Sequence, residues 1–345
     1  MSSERIAPGK RTTIYDLATL AGTSPTAVSS VLNGTWQKRR ISAALAEKIT
    51  RLADENGYSP NMQASGLRRE KSNLIGMIVP KYDNRYFGSI VERFEAMARE
   101  RGLFPIITCT QRQADLELQA AREMISHQVH CLIATGATDP DRITELCARS
   151  GVRSLNLDLP GRLAPSVISD NRGGARALAR RILQASSEQR APGEPLLYVG
   201  GRASDHNTIE RLLGFRDAHA ELGIAVDDRR IFTNGYAAEK ALKSLSQYVA
   251  AGGPPPQALF VSSTITIEGV IRWIKTSGLY GDRLPHIGCF DWDPLASVLD
   301  ENIVMLRQDV PRMLDQLFLL IEGEPREPQV IEVPTLFGQE PPTGK

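Results

Sequence analysis

The spacing of apolar residues changes near residue 73. Before that point, apolar residues recur at helical intervals in three short runs. Each run begins after a Ser or Thr and ends before a Gly, as helices between an N-cap and a C-cap do. The pattern predicts short helices that begin after Thr13, Ser24 and Ser42 and end near Gly22, Gly34 and Gly57.

The first two predicted helices are joined by a very short connection. Only Gly22 and Thr23 separate the first run from Ser24, and Pro25 stands at the first position of the second helix, where proline is favoured. Two short helices joined by a tight turn that contains glycine form the helix-turn-helix arrangement of many DNA-binding proteins. Taken alone, the pattern favours a plain helical hairpin.

Beyond residue 73, short apolar runs alternate with amphipathic stretches. The runs predict buried strands at 74–80, 103–109, 130–135, 153–158, 196–201, 230–235, 258–263 and 286–291. The stretches predict helices at 91–102, 118–128, 177–185, 210–223, 266–278 and 310–323. Alternating strands and helices indicate parallel sheets covered on both faces, and two such sets indicate two lobes with a cleft.

Charge is distributed unevenly along the chain. The 345 residues carry 41 Lys and Arg against 40 Asp and Glu, a net charge of +1. Residues 1–72 carry eleven basic and six acidic residues, a net charge of +5, which leaves −4 for the remainder. A small basic module favours contact with nucleic acid, although a solvated helical surface also fits this excess.

Several classes of protein are excluded by composition. Four cysteines are too few and too widely spaced for a disulfide scaffold, which favours a reducing compartment. No apolar run approaches the roughly 20 residues that span a bilayer, and the N-terminus has no apolar signal region. These features predict a cytoplasmic protein that does not associate with membranes.

Polar residues follow several predicted strands, at the ends where ligands bind in parallel α/β sheets. Carboxylates at Asp158 and Asp291 can accept hydrogen bonds from hydroxyl groups, and Arg211 can donate from a fixed fork. Phe87 and Trp292 offer aromatic faces for an apolar side of a ring. Each residue alone could be a helix cap or loop group, but together they predict a ligand pocket.

Sequence motifs for catalysis are missing from the chain. It has no phosphate-binding P-loop, no dinucleotide-binding glycine motif and no zinc-protease motif. His127 and His130 are close in sequence without a third metal ligand nearby, and no Ser or Cys stands in a nucleophile motif. We therefore expect neither an enzyme nor a cofactor or metal site.

Three ordered segments carry a resemblance to a known family. TTIYDLATLAGTSPTAVSSVLNG at 12–34, GYSPN at 57–61 and ASGLRREKSNLIGMIVP at 64–80 resemble the LacI/GalR family of transcriptional regulators. The resemblance implies an all-α helix-turn-helix head followed by a two-lobed α/β domain with parallel sheets, of the type I periplasmic-binding-protein fold. It also implies a homodimer on a near-palindromic operator in double-stranded DNA, with a sugar effector in the cleft.

The resemblance also divides the chain. It implies a DNA-binding domain over 1–58, a hinge over 59–72 and an effector-binding and dimerisation domain over 73–345. Within the last domain, it places 73–170 and 306–323 in the first lobe. Residues 171–305 and 324–340 are expected in the second lobe.

Residues for DNA contact follow from the family's pattern. The expected contacts are Thr13, Tyr15, Ser24, Pro25, Thr26, Ala27, Ser29, Ser30, Asn33, Lys38, Arg39, Arg40, Asn61, Ala64, Leu67 and Arg68. Among them, Lys38, Arg39 and Arg40 depart from the family's pattern and are expected to contact the DNA backbone. In the family, the leucine at the position of Leu67 wedges into the minor groove and bends the duplex. Many members carry Arg where this chain has Ser30, and the segment at 35–40 is longer and more basic than in most members.

Residues for effector contact follow in the same way. The matching positions are Asn84, Arg85, Phe87, Asp158, His206, Thr208, Arg211, Ser263, Asp291 and Trp292. Ser262 and Ser263 stand where many sugar-binding members have Asn-Asp, which argues against an unmodified hexose. The chain resembles the fructose-repressor branch in the extended segment after Asn33-Gly34, in ASGLR at 64–68 and in PQALFVSS at 256–263. That resemblance implies a sugar phosphate such as fructose 1-phosphate, held by Arg85, Arg202, Arg211 and the helix start near Thr208. Leu159 departs from the branch, so a free sugar, a sugar acid or a non-regulatory sugar receptor stays an alternative.

Overall fold

A computed structural model of the chain describes residues 12–58, 72–281, 283–323, 325 and 327–338. The chain divides into two compact units, and the boundary in the sequence lies between Ser72 and Asn73. Each unit is described by itself below.

The first unit is a bundle of three short helices, α1 (Ile14–Ala21), α2 (Pro25–Leu32) and α3 (Ala43–Glu55). Thr13, Ser24 and Ser42 each cap a helix by accepting a hydrogen bond from a backbone N–H three residues ahead. One apolar residue from each helix is completely buried, and together with their neighbours they form a small core. The predicted helical head is confirmed.

The second unit alternates strands with helices. The strands are β1 (Leu74–Val79), β2 (Phe104–Cys109), β3 (Cys131–Thr135), β4 (Arg153–Leu157), β5 (Ser166–Ser169), β6 (Leu197–Val199), β7 (Ile231–Phe232), β8 (Ala258–Val261), β9 (His286–Phe290), β10 (Ile303–Arg307), β11 (Val330–Val333) and β12 (Leu336–Phe337). The helices are α4 (Arg85–Glu100), α5 (Ala114–Ser126), α6 (Pro140–Arg149), α7 (Asn171–Ala185), α8 (His206–Ala220), α9 (Ala238–Ala250), α10 (Thr264–Ser277) and α11 (Val310–Gly323).

These strands form two six-stranded sheets, one in each lobe. The first has the order β11-β5-β4-β3-β1-β2, and all of its described pairs are parallel. The second has the order β12-β10-β9-β8-β6-β7, in which only β12 runs antiparallel to its neighbour among the described pairs. The predicted two-lobed domain with parallel sheets is therefore confirmed.

Each sheet is covered by helices on both faces, which explains why its strands are continuous apolar runs. Helices α4 and α11 pack on one face of the first sheet, and α5 and α6 pack on the other. In the second lobe, α7 and α8 cover one face and α9 and α10 cover the other. Strands buried on both faces need no polar positions, so they read as apolar throughout.

The course of the chain between the lobes differs from the expectation in one segment. Residues 324–340 were expected in the second lobe, but β11 pairs in parallel with β5 of the first sheet. Only β12 joins the second sheet, through β10. The expectation is therefore wrong for Val330–Val333, which pairs along the edge that β5 offers.

Two helices and several short strands were not predicted. Helix α6 has a clear signal, because Asp139 caps it and Pro140 begins it. Helix α9 begins after Ala237 without a side-chain cap, so the sequence carries no start signal there. Strands β5, β10, β11 and β12 are only two to five residues long. Helix α4 also begins six residues before the predicted start at 91, since Asn84 caps it by accepting from the backbone N–H of Tyr86 at 2.9 Å.

Candidate functional site

The N-terminal half of α2 carries the polar surface expected of a recognition helix. Thr26 is exposed, and Pro25, Ala27 and Ser29 are at least partly exposed. Ser30 is buried, and its hydroxyl donates to the carbonyl of Thr26 at 2.8 Å. The side chain of Ser30 thus faces the interior of the first unit, and its hydroxyl bonds within α2. This geometry does not favour the expected contact of Ser30 with DNA.

The remaining predicted DNA contacts in the first unit are at or near its surface. Tyr15 is 70% exposed, and Thr13 and Ser24 are exposed although their hydroxyls cap helices. The Asn33 amide donates to the hydroxyl of Ser29 at 3.2 Å.

The basic segment after α2 is also exposed. Lys38, Arg39 and Arg40 project from a turn in which Trp36 packs against the helical core. The backbone N–H of Ile41 closes this turn on the carbonyl of Trp36 at 3.1 Å. The longer insertion is thus an anchored turn that presents three cations. Asn61, Ala64, Leu67 and Arg68 lie outside the described residues.

A cavity of about 400 Å³ lies between the lobes, at the carboxyl ends of strands from both sheets. This volume is within the range of about 300–1,000 Å³ that is usual for small-molecule sites. Six of the predicted effector residues line it, namely Asn84, Phe87, Asp158, Arg211, Ser263 and Asp291. The sequence-based interpretation missed Tyr86, Arg112, Asn207, Tyr236 and Gln308, which line it as well.

Two buried aspartates occupy equivalent places in the lobes. Asp158 follows β4 and Asp291 follows β9, and both have left-handed backbones, with φ of 73° and 96°. Residues other than glycine rarely adopt this conformation, although Asp and Asn tolerate it better than most. The turn directs both carboxylates into the cleft instead of along the strand.

Burial perturbs the ionisation of both aspartates. Burial raises the pKa of Asp158, while the charges of Arg112 and Arg211 oppose the shift. Burial also raises the pKa of Asp291 to about 6, with Arg211 opposing the shift and Asp158 adding to it. Two carboxyls that face one cavity in this way are suited to accept hydrogen bonds from hydroxyl groups.

Arg211 is held rigidly between these carboxylates by three contacts. Its Nε donates to the side-chain oxygen of Asn171 at 2.8 Å, and its Nη1 donates to the carbonyl of Ser262 at 2.7 Å. The guanidinium carbon lies 3.7 Å from the centroid of the Phe290 ring. Because these contacts fix the planar group, its remaining donors are oriented before any ligand arrives.

The first turns of α7 and α8 bring Asn171 and Arg211 together. At Gly214, an added Cβ would lie 2.1 Å from the carbonyl oxygen of Arg172, so only glycine permits this approach of the helices. The Asn171 amide then donates to the side-chain oxygen of Asn207 at 3.0 Å.

A hydrogen-bond network continues from there to the first lobe. Asn207 donates to Oδ1 of Asp158 at 3.2 Å, and the Tyr86 hydroxyl donates to the same oxygen at 3.1 Å. Burial raises the pKa of Tyr86 well above its usual value, so the hydroxyl keeps its proton. The carboxylate of Asp158 is thus held from both lobes, and its second oxygen remains for a ligand.

Four predicted effector residues lie outside the wall of this cavity. Arg85 instead forms an ion pair with Asp293 of the other lobe, with 2.7 Å between Nε and Oδ2. The Thr208 hydroxyl accepts from the backbone N–H of Arg202 and contacts the Tyr236 hydroxyl, each at 3.0 Å.

The other two residues of this group are Trp292 and His206. The Trp292 ring packs against the core of the second lobe and lines a separate pocket. His206 begins α8 but contributes nothing to the cavity wall. Of the residues expected to hold a sugar phosphate, Arg202 and Arg211 line the cavity, and Arg85 and Thr208 do not.

Two negative findings apply to the part of the chain that the structure describes. No cluster of three or more His, Cys, Asp or Glu side chains there is placed to hold a metal ion. Among the same residues, no helix has the length and apolar character needed to cross a membrane.

Comparisons with known proteins agree with this architecture. The periplasmic binding protein domain family matches residues 75–299, and the LacI family of bacterial regulatory proteins matches residues 13–61. The lac repressor bound to ONPG in its repressed state has the same fold, with a TM-score of 0.78 and 22% identity over 96% of this chain and 99% of that one.

Two curated relatives differ in how similar they are to this chain. The ribitol operon repressor of Klebsiella aerogenes is 63% identical over 193 residues, which cover 56% of this chain and 72% of the relative. The catabolite repressor/activator of Escherichia coli K12 is 28% identical over 91% of this chain and 93% of its own length. The chain is thus more similar to the ribitol operon repressor than to the member of the fructose-repressor branch.

The helix-turn-helix head, the two-lobed domain and both family matches point to the same conclusion. The similarity is to transcriptional regulators and not to enzymes. The chain belongs to the LacI family of bacterial transcriptional regulators.

Proposed function

We propose that this protein is an operator-binding repressor of genes for polyol metabolism and that an uncharged polyol or related ketose in the interlobe cavity controls its DNA affinity. The observation that carries the proposal is the pair of buried aspartates that flank Arg211. Carboxylates accept from hydroxyl groups and the guanidinium donates to them, so vicinal hydroxyls satisfy both. The name of the 63% identical relative, which assigns it to a ribitol operon, supports the same class of effector.

The charges on the cavity wall favour an uncharged effector over a sugar phosphate. Four basic and five acidic side chains line the cavity, so there is no positive excess to balance a phosphate dianion. Two of these acidic residues, Asp158 and Asp291, are buried, which makes their surroundings unfavourable for an anion. Fructose 1-phosphate, which the fructose-repressor resemblance implied, stays the second candidate.

For DNA binding, we propose that α2 lies in the major groove and that the turn after it contacts the phosphate backbone. Thr26, Ala27 and Ser29 are the side chains available to base edges once Ser30 is excluded. Lys38, Arg39 and Arg40 supply the backbone contacts. We further propose a homodimer on a near-palindromic site, with Asn61, Ala64, Leu67 and Arg68 at its centre, as the family resemblance implies.

The effector proposal is tested by thermal unfolding of the full chain against a panel of ligands. The panel contains ribitol, xylitol, ribulose, fructose and fructose 1-phosphate. A ligand at about 100 times its dissociation constant adds about 2.7 kcal/mol to the free energy of unfolding. We expect stabilisation by at least one uncharged member and none by fructose 1-phosphate. Stabilisation by the phosphate alone would overturn the proposal in favour of the second candidate.

The DNA proposal is tested with duplexes enriched from a random pool. Leu67→Ala should weaken binding to the enriched duplex and reduce its bending, because the apolar wedge is shortened. The same variant should bind the effector as the wild type does. A variant that bends the duplex as strongly as the wild type would contradict the wedge assignment.

A further inference from the structure

Arg112 projects from the first lobe into the cavity, and aromatic rings flank its guanidinium. The guanidinium carbon lies 5.6 Å from the centroid of Phe87 in its own lobe and 5.5 Å from that of Tyr236 in the second lobe. Both distances are within the roughly 6 Å over which a cation is attracted to a ring face. Arg112 therefore contacts an aromatic ring of each lobe, and among the described residues it forms no ion pair across the cleft.

The second feature of Arg112 is that its N–H groups have no acceptor in the described part of the chain. Among the residues that the structure describes, no hydrogen bond or ion pair holds its guanidinium, although the side chain is half-buried. By contrast, Arg85 and Arg211, two other arginines near this cleft, are committed to Asp293 and to Asn171 and Ser262. The aromatic rings contact the faces of the guanidinium. Its N–H groups lie in the plane of the guanidinium and therefore stay available to oxygen atoms in that plane.

The backbone at this point also indicates a specialised position. Gln111 and Arg112 both have left-handed backbones, with φ of 53° and 56°. Two successive residues other than glycine in this region cost stability, and such strain persists at ligand sites where the surroundings impose it. Here the turn after β2 carries Arg112 over Phe87 and towards the opposite lobe.

We propose that Arg112 is an effector-binding residue, which donates hydrogen bonds to effector oxygen atoms in the cavity and, through Tyr236, couples their presence to the position of the second lobe. The inference rests on the proposed function, since it concerns the same polyol effector. The buried aspartates and Arg211 would hold some of the effector hydroxyl groups, and Arg112 would hold others.

The contact of Arg112 with Tyr236 extends into the second lobe. The Tyr236 hydroxyl is 3.0 Å from that of Thr208, and the Thr208 hydroxyl accepts from the backbone N–H of Arg202. Thr208 is in the first turn of α8, the helix that also carries Arg211. Through these contacts, a shift of the Arg112 guanidinium towards a ligand would reach the helix that carries Arg211.

The experiment compares Arg112→Lys with Arg122→Lys by titration calorimetry of the full chain with ribitol, and with ribulose if ribitol does not bind. Lysine keeps the charge but loses the planar fork and the ring contacts. Arg122 is the matched control, because it is an exposed arginine of α5 in the same lobe and lies outside the cavity wall. We expect Arg112→Lys to weaken binding at least tenfold and Arg122→Lys to change it by less than twofold.

A second pair of variants tests the same contact from the other lobe, in case Arg112→Lys disturbs the strained turn. Tyr236→Phe keeps the ring that contacts Arg112 and should lose less affinity than Tyr236→Leu, which should lose affinity as Arg112→Lys does. Because the two side chains act as one unit, the double variant that combines Arg112→Lys with Tyr236→Leu should lose no more affinity than either single variant. Thermal unfolding without ligand checks that each variant is folded.

The outcomes separate the inference from the proposed function. If the wild type binds a polyol and Arg112→Lys binds it equally well, the inference on Arg112 fails while the proposed function stands. Equal losses in Arg112→Lys and Arg122→Lys would also overturn it, since an effect that does not depend on the position of the arginine would then explain both. If the wild type binds neither polyol nor ketose, the proposed function and the inference fail together.

Discussion

Replacing Asp291 by Asn should stabilise the protein while impairing its response to the effector. Asp291 is buried at the end of β9, where its Oδ1 accepts from the backbone N–H of Trp292 at 3.0 Å. Asparagine can accept the same hydrogen bond and tolerates the left-handed backbone at this position. The substitution therefore removes the buried charge with little change in shape.

The magnitude follows from the pKa of this carboxyl. Burial raises it from 3.8 to about 6 in the folded protein. Each unit of pKa corresponds to about 1.4 kcal/mol, so the ionised group lowers the free energy of unfolding by roughly 3 kcal/mol above pH 6. Between pH 3.8 and 6, the folded state retains a proton that the unfolded chain has released. The contribution of Asp291 to stability therefore falls as the pH rises through this window.

The assay is thermal unfolding of the full chain between pH 4 and pH 7.5. The difference between Asp291→Asn and the wild type should be small near pH 4 and grow to about 6–12 °C at pH 7.5, at about 2–4 °C per kcal/mol. Asp315→Asn, at an exposed position of α11, is the control and should leave the pH profile unchanged. A difference that is independent of pH, or a variant less stable than the wild type at pH 7.5, would refute the reasoning.

Three further predictions concern other parts of the molecule. His219 is buried and accepts from the backbone N–H of Leu196 at Nε2, and burial lowers its pKa from 6.5 to about 4. The contribution of His219 to stability is therefore complete above pH 6.5 and should fall by roughly 3 kcal/mol as the pH drops towards 4. Urea unfolding should detect this loss in the wild type and not in His219→Gln. Ser30→Ala should change operator affinity less than twofold in fluorescence anisotropy, whereas Thr26→Ala should weaken it severalfold. A larger loss in Ser30→Ala than in Thr26→Ala would contradict the proposed placement of α2 in the major groove. Arg85→Ala should alter effector affinity less than fivefold by calorimetry, because the exposed ion pair of Arg85 with Asp293 is worth about 1 kcal/mol or less. A tenfold loss of affinity would instead make Arg85 a ligand contact.

The architecture was accessible from the sequence where local signals agree. The caps at Thr13, Ser24 and Ser42 located the three helices of the first unit, and the apolar runs located most strands of the second. The signals failed where pairing between distant segments decides the structure. Val330–Val333 joins the first sheet only because β5 offers an open edge, and nothing within that segment encodes this choice.

The candidate site was only partly predictable for a similar reason. Asp158, Arg211 and Asp291 could be found because they follow apolar strands or begin a helix after one. Arg112 and Tyr236 were missed, because each looks like an ordinary loop residue until the lobes bring them together. Conversely, Trp292 directly follows Asp291, but the turn at that residue directs its ring into the core of the second lobe.

The central claim is that occupation of the cavity controls operator affinity. The most direct measurement is the anisotropy of a fluorescent duplex, enriched from a random pool by the wild type, with and without the polyol that stabilises the protein. We predict at least a tenfold change in operator affinity for the wild type and less than a twofold change for Asp291→Asn. An operator affinity that the bound polyol leaves unchanged in the wild type would contradict the account.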